Sequence, residues 1–236
     1  VYGTGMLLNR RRGCVMGCLA ANTVARAYRG RSARYISKHP GLRSNRISYN
    51  LEPTIIALRN HTKEDLTELY EAWARREQTD GGYVNTFYRT MRARNAYRWN
   101  MTGEFMLRIV PLGMRLVNDA LFDRAEQECR LTNAPQCVAT GKLYLNVLLD
   151  CLRHGGRGVE ELCRATPYAR KVPEFDSHEV TLRPDGMSCS DYRVQAQVAL
   201  YALRTSSSYK EAVLKALRLG GDVEVCALVG ALAGAR

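Results

Sequence analysis

LRLGGDVEVCALVGALAGA, residues 217–235, changes character in its middle. Gly220 and Gly221 end one helix and allow a sharp backbone turn, since glycine adopts the left-handed conformation of a helix terminus without steric penalty. Asp222 then stands at an N-cap position, with Glu224 in the first turn of a new helix. From Val225 onward every side of that helix is apolar, which predicts burial rather than an amphipathic surface position. Gly230 and Gly234 stand four apart, so they share one face where a second backbone can approach closely. Two carboxylates at the mouth of a buried helix suggest a site. A cap and an acid favoured by the helix dipole account for the same two residues.

Working outward, residues 191–204 and 208–219 read as amphipathic helices capped by Asp191 and Ser208. Residues 136–153 form a long apolar-striped helix that stops at His154-Gly155-Gly156. Near the start, residues 13–28 form a buried helix that is small on the face of Gly13, Gly17 and Ala21. Further helices are expected at 50–60, with Pro53 in the first turn, at 62–78, with Thr62 as N-cap, and at 119–129. Residues 107–117 enter the core. Residues 29–45, 80–82, 100–104 and 131–135 read as loops and turns. Residues 165–190 carry Pro167, Pro173 and Pro184 without a helical period, and 179–182 could form one short strand. The class is all-α, with a single domain expected over 1–236.

The 236 residues are 46% hydrophobic and 25% charged, ordinary for a globular protein. No eighteen-residue apolar run exists, so no membrane span is expected. The first basic cluster, Arg10-Arg11-Arg12, follows the apolar residues rather than preceding them, the reverse of a secretory signal, so an intracellular setting is expected. Net charge is +12. Arginine clusters at 10–12, 26–34 and 89–98 suit nucleic acid, a diphosphate or an acidic protein partner. A solvated arginine-rich surface explains them equally, and no nucleic-acid motif accompanies them. Residues 83–99 interleave aromatics with arginine, which at helical spacing places the aromatics toward the core. The eight cysteines form no CxxC pair and read as small buried hydrophobes. The four histidines lie in unrelated segments, and phosphate-loop, zinc-protease and nucleophile-elbow motifs are absent.

Four segments in order resemble the ADP-ribosylglycohydrolase family. Residues 13–25, GCVMGCLAANTVA, are similar to its opening GxxxGxxxGDALG helix. Residues 105–113, FMLRIVPLG, resemble its MRIAPLG segment, and Thr132-Asn133 falls at its Thr-His pair. Residues 190–221 resemble the two helices leading into its GGD motif. The resemblance implies a compact orthogonal helical bundle and a hydrolase site that releases ADP-ribose with a pair of Mg²⁺ ions.

The departures fall on that site. The family's Thr-Asp-Asp-Thr half-site is matched by Tyr49, Asn50, Leu51 and Glu52. In the GGD half-site Asp222 stands, Asp becomes Glu224 and Thr becomes Val225. Asn22 occupies the Asp position of GDALG. The loop that cradles ADP-ribose is matched by Gly103, Glu104, Phe105 and Met106, and Asn133 replaces the histidine. Metal candidates are therefore Asp222, Glu224, Asn50 and Glu52, with at most three carboxylates. That is enough to hold one Mg²⁺ weakly and too few for two, because paired ions at roughly 3.5–4 Å repel strongly. Leu51 also removes the acid that activates water in the family. The leading reading is a family member with impaired or lost catalysis and a binding or structural role. The alternatives are an active hydrolase of ADP-ribosylated protein on one metal, and a basic scaffold for nucleic acid or an acidic partner.

Overall fold

Helix-forming runs separated by glycine, proline and capping residues become an all-α structure in a computed structural model of the protein. It describes residues 2–29, 31, 33–39, 44, 46–63, 65–77, 87, 89, 91, 100–115, 120–165, 191–219 and 223–236. Among these, the helices are α1 (Tyr2–Ala27), α2 (Ala33–Lys38), α3 (Glu52–Arg59), α4 (Thr67–Arg76), α5 (Phe105–Ile109), α6 (Ala120–Arg130), α7 (Val138–His154), α8 (Val159–Ala165), α9 (Tyr192–Arg204), α10 (Tyr209–Arg218) and α11 (Val223–Ala235). Short 3₁₀ turns precede α3 and α7 and follow α5. The β-geometry among the described residues is one isolated antiparallel bridge between Thr102 and Asp191. No helix of the described residues is long and apolar enough to cross a membrane.

The glycines of the first and last helices face one another. A Cβ built on Gly17 would lie 2.2 Å from the Gly230 carbonyl oxygen, and one on Gly230 would lie 2.3 Å from the Gly17 oxygen. Gly13 and Gly234 repeat the arrangement one turn away, at 2.0 and 2.1 Å. The two backbones therefore touch along two successive turns, and α11 is buried from Val223 through Leu232. Tyr209 of α10 seals the contact by donating its hydroxyl to the Gly17 carbonyl at 2.8 Å. From the other side, Tyr144 of α7 donates to the Leu228 carbonyl at 3.1 Å. One large apolar cluster runs through α1, α5, α7, α9, α10 and α11. A smaller cluster holds Tyr70, Trp73 and Phe87, whose ring meets both others edge-on.

Helix ends explain part of the arginine excess. Gly155, at φ 69°, ends α7 in the left-handed conformation. Arg10 donates to the last carbonyls of that helix, Leu152 at 3.4 Å and Arg153 at 2.7 Å. Arg236 does the same beyond α9, donating to Leu203 and Ser206 at 3.0 Å each. Arg11 donates to the Arg115 carbonyl at 3.2 Å, and Arg26 donates to that of Ile47. A helix leaves its last four carbonyls without internal partners, and a guanidinium both donates to them and complements the dipole.

Several boundaries differ from the sequence reading. Helix α1 begins at Tyr2 rather than at Gly13, and Arg10 and Arg11 in its added turns donate to the carbonyls of Arg153 and Arg115, which ties this segment to the bundle. The stretch 29–45, read as a loop, contains α2, where Ile36 is buried and Tyr35 stacks on His39 with centroids 4.2 Å apart. Helix α4 starts at Thr67, not after Thr62, with Asp65 accepting from the Thr67 amide at 2.8 Å. Helix α8 was not anticipated. Residues 78–86, 92–99 and 166–190, with the expected turn and strand, lie outside the described residues. The caps at Asp191 and Ser208 are present, each accepting a backbone N–H of its helix. Cys14, Cys18, Cys129, Cys137, Cys151, Cys163 and Cys226 are buried. Burial pushes the Cys18 and Cys151 thiols up to about 12, so both remain neutral.

The glycine contact leads to a direct test. Gly17→Ala and Gly230→Ala would force the two backbones apart, so each should lose stability at the upper end of the ~1–3 kcal/mol of core overpacking. Gly5→Ala, in the same α1 but with nothing near its Cβ position, should instead gain about 0.5–1 kcal/mol. Urea unfolding of the three variants checks both signs.

Candidate functional site

The segments singled out in the sequence gather around α5. This short helix touches α3 on one side and α11 on another. Thr54 of α3 fixes the first contact by donating its hydroxyl to the Leu107 carbonyl at 3.0 Å. Asn22 of α1 fixes the approach of the chain to α3. Its Nδ2 donates to the Ser48 hydroxyl and its Oδ1 accepts from the Ser48 amide, both at 2.8 Å. The 3₁₀ turn Tyr49–Leu51 follows directly, with Tyr49 exposed, Asn50 and Glu52 half-buried, and Leu51 0% exposed.

The loop 100–104 is held by its own neighbours. Asn133 is 1% exposed and donates to the carbonyls of Asn100 and Thr102, at 3.2 and 2.6 Å. Asn100 returns the contact through its Nδ2 to the Thr132 carbonyl at 2.7 Å and accepts from the Thr102 amide at 3.1 Å. On the far side, the Tyr192 amide donates to the Met101 carbonyl at 2.8 Å. A Cβ on Gly103 would stand 2.2 Å from Gln195 Oε1, so a larger residue there would require the Gln195 side chain to shift. Glu104 is half-buried, whereas Phe105 and Met106 are fully buried in the core. Of the five residues matched to the family's ADP-ribose contacts, Phe105 and Met106 turn their side chains inward, Asn133 braces the loop and Gly103 packs on Gln195.

Beneath the loop lies a charged network that the sequence reading missed. Arg108, 2% exposed, donates through Nε to Glu128 Oε2 at 3.3 Å. Its Nη2 donates to the Glu128 carbonyl and to the Thr132 hydroxyl, both at 2.7 Å. Thr132 then donates to Asn133 Oδ1 at 2.6 Å, which joins the network to the loop. Tyr70 donates to the Glu128 carboxylate at 3.3 Å, and Phe87 lies under the guanidinium at 5.3 Å. Burial pushes the Glu128 carboxyl up, against the opposing pull of Arg108. The signal available in the sequence was one arginine inside the apolar run FMLRIVPLG. A buried cation requires a buried partner.

The metal candidates divide in the same way. Glu224 lies in the first turn of α11 and is 4% exposed. Asn50 and Glu52 sit at the start of α3. Asp222, with Gly220 and Gly221, lies outside the described residues. Leu51 and Val225, which the resemblance matches to ligand positions of the family, are both 0% exposed and belong to the large apolar cluster. Among the described residues no three of His, Cys, Asp or Glu stand close enough to hold a metal ion.

Residues 4–236 match the model of a protein family described as ADP-ribosylglycohydrolase. No curated protein matches the sequence. Among solved structures, one described as an ADP-ribosylglycohydrolase-related protein complex is similar with a TM-score of 0.76 and 18% identity. That match covers 98% of this chain and 88% of the other, and at such identity it speaks for the fold.

The buried pair sets a pH-dependent expectation. A carboxyl raised above its unfolded value near 4.3 binds more protons in the folded state, so its contribution falls as pH rises through that window. Arg108→Met removes the cation that offsets this, and should cost about 3–5 kcal/mol at neutral pH. The loss should be smaller at mildly acidic pH, where Glu128 takes up a proton. Urea melts of wild type and variant at both pH values check the sign.

Proposed function

The chain belongs to the ADP-ribosylglycohydrolase family, and from that premise we propose a member that keeps the family's fold but not its two-metal hydrolysis, serving a binding or structural role. The observation that carries this reading is the state of Leu51 and Val225. Both are fully buried in a contiguous apolar cluster, at positions where the resemblance calls for metal ligands. Leucine and valine have no donor atoms, and no rotation of either side chain could supply one.

The donor set points the same way. Mg²⁺ requires near-octahedral oxygen coordination, and a pair of divalent ions needs several anions to offset their repulsion. Asp222, Glu224 and Glu52 would supply three carboxylates, with one neutral oxygen from Asn50. These residues do not fit a two-metal centre. The ADP-ribose loop supports the reading as well. The carbonyls of Asn100 and Thr102 and the Asn100 side chain are engaged within the loop and by Asn133.

Two measurements test this reading. Thermal unfolding with ADP-ribose should give the same midpoint in Mg²⁺ as in EDTA. Native-state binding at one hundred times Kd contributes about 2.7 kcal/mol, large enough to read as a shift, so a shift confined to Mg²⁺ would contradict the proposal. Leu51→Asp should fail to create a site and should lose at least ~2 kcal/mol in urea unfolding, because it buries a carboxyl among apolar side chains. A variant as stable as wild type would mean that position 51 opens onto water or metal.

A further inference from the structure

The outer side of α9 and α10 carries a groove whose lining includes no residue of the loop 100–104, of α3 or of α11. It encloses about 530 Å³ and is lined by Tyr201, Ser208, Leu214, Leu219 and the charged side chains of α10. The spacing of α10 explains how it forms. Ala212, Val213, Ala216 and Leu217 are buried in the bundle, which turns 210, 211, 214, 215 and 218 outward on the remaining arc. Tyr201, Leu214 and Leu219 are half-buried and form an apolar floor.

The charge around that floor is unbalanced. Lys210, Lys215 and Arg218 stand against the single carboxylate of Glu211. That carboxylate is already engaged, accepting from the Ser207 amide at 2.8 Å and hydroxyl at 2.9 Å, with Lys215 at 3.6 Å. Lys215 is fixed in place. Its ammonium donates to the Thr205 carbonyl at 2.6 Å and hydroxyl at 2.8 Å and lies 5.9 Å from the centre of the Tyr201 ring. Lys210 and Arg218 are exposed at the rim.

We infer that this groove docks an acidic protein segment that presents an apolar side chain, with the anchor on Tyr201, Leu214 and Leu219 and its carboxylates on Lys210 and Arg218. Charge complementarity selects the sign of the partner, and the apolar floor selects its kind. A nucleic-acid backbone has no use for two leucines, and the Tyr201 ring already carries a cation near its face, where a base would have to stack. An amphipathic peptide uses both features at once.

The test is fluorescence anisotropy with a labelled short peptide of glutamates carrying leucines at helical spacing, beside polyglutamate and oligothymidylate of matched charge. The leucine-bearing peptide should bind the intact protein, more tightly than polyglutamate, and with an affinity that falls as salt rises. Lys210→Glu with Arg218→Glu should weaken it about tenfold or more, and Leu214→Ser should weaken it while leaving the weaker polyglutamate binding in place. Lys210 and Arg218 are exposed, so an unchanged thermal midpoint can certify the charge-reversed variant, whereas Leu214 also packs against the core and a retained cooperative unfolding transition certifies Leu214→Ser. Absence of peptide binding, indifference to the charge reversal, or preferential capture of oligothymidylate through the same residues would each overturn the inference. None of Asn50, Glu52 and Glu224 lines the groove, and the peptide measurement uses neither Mg²⁺ nor ADP-ribose, so its outcomes are distinguishable from any result with ADP-ribose.

Discussion

The approach of α1 to α11 sets the geometry of this bundle. At Gly13 and Gly17 on one helix and Gly230 and Gly234 on the other, a Cβ would fall within 2.3 Å of the opposing backbone. No side chain can separate the helices, so their axes are fixed by contact between main chains. The consequence extends outward. With α11 buried, its first turn is anchored, and α5, α9 and α10 pack on its remaining sides. Helices α7 and α10 each contribute a tyrosine that satisfies a backbone carbonyl within this contact, on Leu228 and Gly17. Helices α1 and α11 thus form the centre of the described bundle.

Around that centre, polar residues hold the fold together at the positions where the family resemblance places a site. Asn22 uses both ends of its amide on Ser48, Asn133 spans two carbonyls of the loop, and Arg108 with Glu128 forms the base under Thr132. Each of these groups is buried, and a buried polar group is strongly destabilising unless its hydrogen bonds are made. They are tied to the scaffold by that requirement. Leu51 and Val225 follow the opposite rule. They increase apolar burial where the family resemblance calls for ligands, which keeps the core continuous through the candidate metal site.

Much of the fold was legible in the sequence because it rests on patterns of fixed period. The all-apolar run of α11, the small face of α1, the caps at Asp191 and Ser208 and the Gly155 terminus follow from helical spacing and local backbone chemistry. The early start of α1 was not legible. The tertiary contacts of this segment, Arg10 and Arg11 on carbonyls more than a hundred residues away, have no signature in sequence spacing. Helix α2 was hidden by a basic composition that reads as loop, although Ile36 and Tyr35 give it a packed face. In the candidate site, the substitutions at Asn50, Leu51 and Val225 were visible at once. Their surroundings were not, since the link from Arg108 through Thr132 to Asn133 joins residues by distance rather than spacing. The arginine clusters were visible as charge, but the carbonyls that Arg10, Arg11 and Arg26 bind required coordinates.

In the reading proposed above, the family fold stands without the family's two-metal chemistry. The most direct test of that reading is release of ADP-ribose from an ADP-ribosylated protein, followed over a series of Mg²⁺ concentrations with EDTA as the blank. A release rate equal to the blank at every concentration is expected. A rate that rises with Mg²⁺ and disappears on chelation would contradict it, and would require the carboxylates at 52, 222 and 224 to assemble a working centre beside Leu51.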